Sequence, residues 1–223
     1  MNRLLLRDGE ELGPGGWPQT PETTPAERLH TARVGLRLLL AAISSLFLLF
    51  LLALLMRSQV GDWQPLTDPL APLAQPWPLW GNSAVLLAAS LCLQGARLAA
   101  RRSRMATSQL AFAAGGLLAV VFLLGQLWFW QRVAAWGYPL AGNPANSFFY
   151  LLTGLHGLHL LGGLAVWAWA LATRLRRPHA FAVAVELCAS YWHYLLGLWL
   201  LLFAVLTSSP QTYQAIAAFC GLR

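Results

Sequence analysis

Five apolar runs separated by short polar interruptions set the pattern of this chain. They cover about 35–56, 79–99, 110–130, 147–173 and 182–206. Each reaches the roughly 20 residues that a helix needs to cross a bilayer core. None alternates with the period of two that marks a half-buried strand, and the runs are too long for ordinary strands. The pattern predicts an all-α integral membrane protein, a bundle of five transmembrane helices. Residues 1–33 are polar and rich in Pro, Gly, Thr and Glu, which predicts a flexible extension. The membrane domain then covers 34–208, and 209–223 form a short tail. MNRLLLRDGEELGPGG has three consecutive leucines before charge resumes, too short a core for a signal peptide.

Composition agrees, since 57% of the 223 residues are hydrophobic and only 10% are charged, against about 25% charged in a soluble domain. The net charge of +7 does not point to nucleic acid. All fifteen basic residues are Arg, in clusters between the apolar runs, as expected of cytoplasmic loops. Five lie in the N-terminal arm, four between the second and third runs, and three between the fourth and fifth. The other connections hold Arg57 and Arg132 at their edges, and the tail holds Arg223. This asymmetry predicts an inside N-terminus and an outside C-terminus. Trp63, Trp77, Trp128 and Trp130 sit near span ends, where indoles suit the membrane interface. Cys92, Cys188 and Cys220 show no CxxC spacing, so no disulfide or zinc framework is expected.

The chemistry inside the spans is sparse. The fourth run reads SFFYLLTGLHGLHLLGGLAVWAWALAT, with Thr153, His156 and His159 among its glycines. The fifth contains Glu186, Ser190 and His193 at i, i+4 and i+7, one face of a helix. Polar groups in hydrocarbon are costly and turn toward protein or water. At about 1.5 Å rise per residue, His156 and His193 fall at similar depths if these two helices are antiparallel neighbours. A single polar seam is therefore expected, made of Thr153, His156, His159, Glu186, Ser190 and His193. Three roles are open for it: a haem or copper site, a proton relay, or hydrogen bonding between helices and to lipid headgroups. Glu186, near the inner end of its span, could meet water or an Arg of the RLRR turn. No phosphate loop, nucleophile arrangement or CxxCH haem attachment appears, so no catalytic residue and no metal ligand is assigned.

SFFYLLTGLHGLHLLGG resembles the signature helix of subunit III of the haem-copper oxidases. VELCASYWHYLLGLW resembles the final helix of that family, with Glu186, Tyr191, Trp192, His193 and Trp199 in the matching places. PWPLWGNSAVLLAASLCLQGAR and LGQLWFWQRVAAWG look like the preceding helices of its short, bacterial, five-helix form. The resemblance covers about residues 34–208.

It implies a non-catalytic subunit of a terminal oxidase in a bacterial cytoplasmic membrane, part of an aerobic electron transport chain. Haem and copper would belong to partner subunits, with subunit I the main contact and subunit II in the same complex. This chain would bind structural phospholipids and support assembly and sustained proton uptake. Two departures stand out. The family's first-span Glu falls near Ile43, and the Asp three residues after the final-helix His is Leu196 here. An antenna role would rest on two acids that this chain replaces with Ile43 and Leu196. A quinol-fed oxidase and the subunit-III-like accessory protein of nitric oxide reductase would share the same signature. A free-standing transporter would show repeat-related broken helices, and no such repeat is visible.

Overall fold

The structure is a computed structural model describing residues 25–68, 71–174 and 178–219. The N-terminal extension up to residue 24 lies outside the described residues, as do Cys220, Arg176 and Arg177. Among the described residues six helices follow in order: α1 (Pro25–Arg57), α2 (Trp77–Arg101), α3 (Met105–Ala135), α4 (Pro144–Thr173), α5 (Pro178–Leu206) and α6 (Pro210–Phe219). The first five are long and apolar enough to cross a membrane. No strand occurs among the described residues.

Local chemistry sets the helix ends. The α2–α3 connection is only three residues long because Ser103 adopts the left-handed conformation (φ 58°). There, Ser103 N–H donates to Ala100 O and Arg104 N–H to Ala99 O, the bonding of a Schellman stop. Gly137 (φ +91°) ends α3 in the same way, with Tyr138 N–H donating to Val133 O. Glycine carries no Cβ penalty there. α4 begins at Pro144, ahead of its apolar run, because the Asn143 side chain accepts from Ala145 N–H at 3.1 Å. An N-cap Asn followed by Pro is a strong helix start.

The described residues divide at Gly35 into two compact units, and the second, from Leu36 onward, contains the bundle. Its packed pairs are α2 with α3, α2 with α5, α4 with α5, and α3 with α4. Phe112, Phe122, Phe149, Leu86, Leu93, Leu160, Trp192 and Trp199 fill the centre. Glycines let the helices close on aromatic rings. A Cβ on Gly116 would lie 1.9 Å from Trp167 Cε2, and one on Gly163 would lie 2.8 Å from Tyr191 Cε1. Within the second unit, α1 contributes a narrow buried stripe, Ile43, Phe47, Leu51 and Leu54. Most of its other apolar side chains in this unit are exposed, including Leu38, Leu39, Leu48 and Leu49.

One end of the bundle is tied together by its connections. Thr67 Oγ1 donates to Ser208 O at 3.3 Å, and Asn143 Nδ2 donates to Gln64 O at 2.7 Å. Trp63 packs against Phe148 and Tyr213, which brings α6 onto the Pro-rich loop. Arg57 forks onto Asp62 at 2.6 and 2.5 Å.

Candidate functional site

The polar residues of α4 and α5 do not form a single seam. The packing register explains why. His156 stacks against Trp199, with ring centroids 5.3 Å apart, while Gly163 lies against Trp192. His193 is therefore level with the α4 glycines about two turns from His156, and the expected match in depth does not occur. The two imidazoles also differ in environment, since His156 is fully buried and His193 is exposed. A helix of 3.6 residues per turn cannot turn Trp192 and Trp199 inward without carrying His193 outward.

Four distinct sites result. The first is an ion cluster between α2 and α5. Glu186 Oε1 accepts from Arg97 Nη2 at 2.8 Å and from Arg101 Nη2 at 2.9 Å. Arg97 and Arg101 are one turn apart on α2, so one carboxylate reaches both. Glu186 retains only 14% exposure, a setting in which a charge requires this kind of pairing. These two partners come from α2, while Arg174, the one arginine of the RLRR turn that is described, donates to Leu171 O. Ser190 Oγ donates to Glu186 O, so it stays on its own helix and does not extend the cluster.

The second site is the buried ring cluster around His156. Phe122 of α3 meets it edge-on at 6.0 Å, Trp199 of α5 covers its face, and Trp199 Nε1 donates to Ser83 Oγ of α2 at 2.8 Å. Four helices thus meet around one imidazole. Neither ring nitrogen of His156 has a hydrogen-bond partner among the described residues. One turn along α3 from Phe122, Gln126 Oε1 accepts from Asn82 Nδ2, which also donates to Phe122 O.

The third site joins α3 to α4. Trp130 Nε1 donates to Thr153 Oγ1 at 3.1 Å, and Thr153 in turn donates to Phe149 O. The fourth lies beside α1, where His159 packs on Phe47 at 5.7 Å, shares its Nδ1 with Leu155 O, and accepts from Tyr191 Oη at its backbone carbonyl. Of the indoles expected at the interface, Trp77 and Trp128 are exposed. Trp128 carries Arg132 over its ring at 5.2 Å. Trp63 and Trp130 turn partly inward to pack.

Several of these partners were not evident from sequence. Arg97 and Arg101 read as loop charges, although their i, i+4 spacing was the available signal for a shared acid. Asn82, Ser83 and Gln126 lie in apolar runs without a motif. Among the described residues, no three His, Cys, Asp or Glu side chains come together as a metal-binding group. The arrangement is chemically one of cross-links between helices.

Comparison with known proteins fits this architecture. Residues 31–208 match the family described as cytochrome c oxidase subunit III. A cytochrome c oxidase subunit 3 of Synechocystis sp. is 32% identical over 174 residues, covering 76% of this chain and 72% of the relative. A probable cytochrome c oxidase subunit 3 of Mycobacterium leprae is 31% identical, covering 71% and 77%. One from Nocardia farcinica is 28% identical over 198 residues, covering 84% and 95%. With five helices long enough to span, α4 and α5 with their mid-span histidines inside the matched region and the match extending over most of the chain, this protein belongs to the cytochrome c oxidase subunit III family of the haem-copper oxidases.

Proposed function

We propose that this chain is the lipid-holding, non-catalytic subunit of a cytochrome c oxidase in a bacterial cytoplasmic membrane. It packs chiefly against subunit I, in a complex that also contains subunit II. Oxygen reduction and proton pumping belong to partner subunits carrying haem and copper, and this chain supports assembly and sustained turnover. The asymmetry of its Arg clusters favours an inside N-terminus and an outside C-terminus.

The observation that carries the reading is the way α1 leaves space along the bundle. One groove of about 350 Å³ runs between α1, α4 and α5, lined by Leu36, Leu39, Gly163, Val166, Leu187 and Trp192. A second, of about 460 Å³, lies between α1 and α5, bounded by Phe47, Leu48, Leu51, Gly197, Leu198 and Leu201. Both are open and almost wholly apolar, and the first suits acyl chains. Gly162 and Gly163 keep the first groove free of side chains, and Ser44 and Tyr194 pin α1 at 2.8 Å between the two. The α5 carboxylate Glu186 is already held by two arginines, and Leu196 stands where relatives of this family place an acid. That combination favours lipid retention over proton collection.

The test is a complex purified with wild-type chain or with Leu39→Trp, which fills the first groove. The expected result is that the chain elutes with a haem-containing partner, that the complex retains phospholipid through delipidating washes, and that the variant retains less and inactivates sooner during turnover. A wild-type complex free of bound phospholipid, or an isolated chain carrying stoichiometric haem, would defeat the proposal.

A further inference from the structure

His193 occupies an unusual place in the membrane domain. It is the fourteenth residue of the span Ala180–Leu206, about 20 Å from either end at 1.5 Å per residue. Among the described residues it is the only ionisable side chain away from the span ends that is exposed in the chain alone. Gly197, one turn on, is also exposed, and a Cβ there would meet nothing within 4 Å. Leu200 continues the same outward face. The adjacent Tyr194 shows how polar atoms at this level are otherwise matched, because its hydroxyl is already engaged by Ser44 of α1.

The hydrogen bonding of His193 fixes what it can accept. Nδ1 lies 2.6 Å from Ala189 O. A backbone carbonyl only accepts, so in the neutral ring the proton sits on Nδ1 and Nε2 carries a lone pair. At mid-depth in hydrocarbon that lone pair needs a donor. Acyl chains supply none at this level. A second copy of this chain related by a two-fold axis would bring Nε2 against Nε2, two acceptors facing each other, so a homodimer through this face is disfavoured. What fits is a helix of a different polypeptide, passing closely over Gly197 and presenting a hydroxyl, amide or indole N–H at the height of His193.

We infer that the His193–Gly197–Leu200 face of α5 is the docking strip for a transmembrane helix of a partner subunit, with His193 Nε2 accepting a hydrogen bond from it. This rests on the reading of the chain as one subunit of an oxidase complex and names where and how that contact is made.

The experiment uses the intact complex in its own membranes, with a benzophenone amino acid at position 193 or 197 and irradiation before purification. Adducts to a second, different polypeptide are expected at both positions. In parallel, His193→Leu is expected to lower co-purification with the haem-bearing partner roughly three- to fifteen-fold, the range set by inter-helix hydrogen bonds in bilayers. His193→Gln retains an acceptor oxygen and is expected to stay within about twofold of wild type by the same bond energies. Adducts only to lipid or to a second copy, or a His193→Leu variant that co-purifies like wild type, overturn the inference while leaving the subunit reading intact. A wild-type chain that co-purifies with no other polypeptide overturns both.

Discussion

Replacing Gly116 by Ala should measure how tightly α3 and α4 are fitted. The added Cβ would lie 1.9 Å from Trp167 Cε2, 2.3 Å from Nε1 and 2.4 Å from Cδ2. These atoms belong to the rigid indole, so no flexible tip can move aside. Restoring an ordinary contact near 3.4 Å requires a shift of roughly 1.5 Å, by separating the helices or rotating the indole. Rotation is opposed because Trp167 Nε1 donates to Phe112 O at 2.8 Å, and the two rings also pack together. Overpacking costs about 1–3 kcal/mol, and the lost hydrogen bond adds about 1 kcal/mol. Against these stands a gain of about 1 kcal/mol in helix propensity from Gly to Ala. The net expectation is a loss of about 2 kcal/mol in the isolated chain. Gly95 is the control, because a Cβ there meets nothing within 4 Å; Gly95→Ala should be neutral or gain up to about 1 kcal/mol. Equilibrium unfolding of the purified chain, driven by a denaturing detergent in mixed micelles, reads the difference. Trp167→Leu in the Gly116→Ala background should recover stability, with a coupling of at least about 1 kcal/mol. Equal stability of Gly116→Ala and Gly95→Ala would refute the claim of a fixed indole against bare backbone.

Other outcomes follow from the cross-links. Glu186→Gln strands Arg97 and Arg101 at the α2–α5 contact and should cost about 2–3 kcal/mol in the same unfolding assay, with much of it recovered when Arg97 is also made Leu; an unchanged midpoint would mean the cluster is solvated and unimportant. His156→Leu should be neutral or slightly stabilising, because neither ring nitrogen is bonded and an unpaired buried polar group costs about 1–3 kcal/mol; a marked loss would show that those nitrogens are engaged. Arg57 holds the Asp62 carboxyl below its ordinary value of 3.8, chiefly through their hydrogen bonds. Its contribution is therefore constant above that value and fades only as pH falls below it, so Asp62→Asn should alter acid sensitivity of the 58–76 loop below pH 4 and not at pH 6–8, as read by limited proteolysis. Burial raises the Tyr213 hydroxyl from 10 to about 12, and it donates to Val205 O. A raised pKa means the contribution is full below pH 10 and lost as pH climbs toward 12; tyrosinate absorbance that titrates in Tyr213→Phe as in wild type would contradict docking of α6 through this residue.

The spans were legible because a bilayer imposes one simple requirement, about 20 apolar residues per crossing. Five runs met it, and among the described residues five helices are long and apolar enough to cross a membrane. What could not be read was which face of each run turns inward. In soluble helices the polar face marks the outside, but here both faces are apolar and lipid is as apolar as the core. Histidine by itself does not mark the interior: His156 is fully buried, His159 half-buried and His193 exposed. On α5 the stronger inward signal was the pair Trp192 and Trp199, seven residues apart, whose large rings require the glycine and serine spaces of α4 and α2. Once those rings turn inward, His193 must turn away.

That rotation links the two halves of the functional argument. Glu186 and His193 share a helical face seven residues apart, yet among the described residues Glu186 is paired from another helix while His193 bonds to its own helix at Ala189 O. Near the end of its helix, α2 supplies Arg97 and Arg101. At mid-span no helix among the described residues covers the same face, because α1 engages α5 through Tyr194, about 100° further round the helix. A face satisfied internally at one end and bearing an open acceptor at its centre is what a fixed subunit shows before its neighbour is added. Stability of the separate chain and affinity for the complex should therefore respond to different residues of one helix. Glu186→Gln should lower the first, and His193→Leu should lower the second while leaving the first unchanged or raised, since Leu suits hydrocarbon better than imidazole. If both variants changed both quantities alike, the division of this face into an internal half and a docking half would fail.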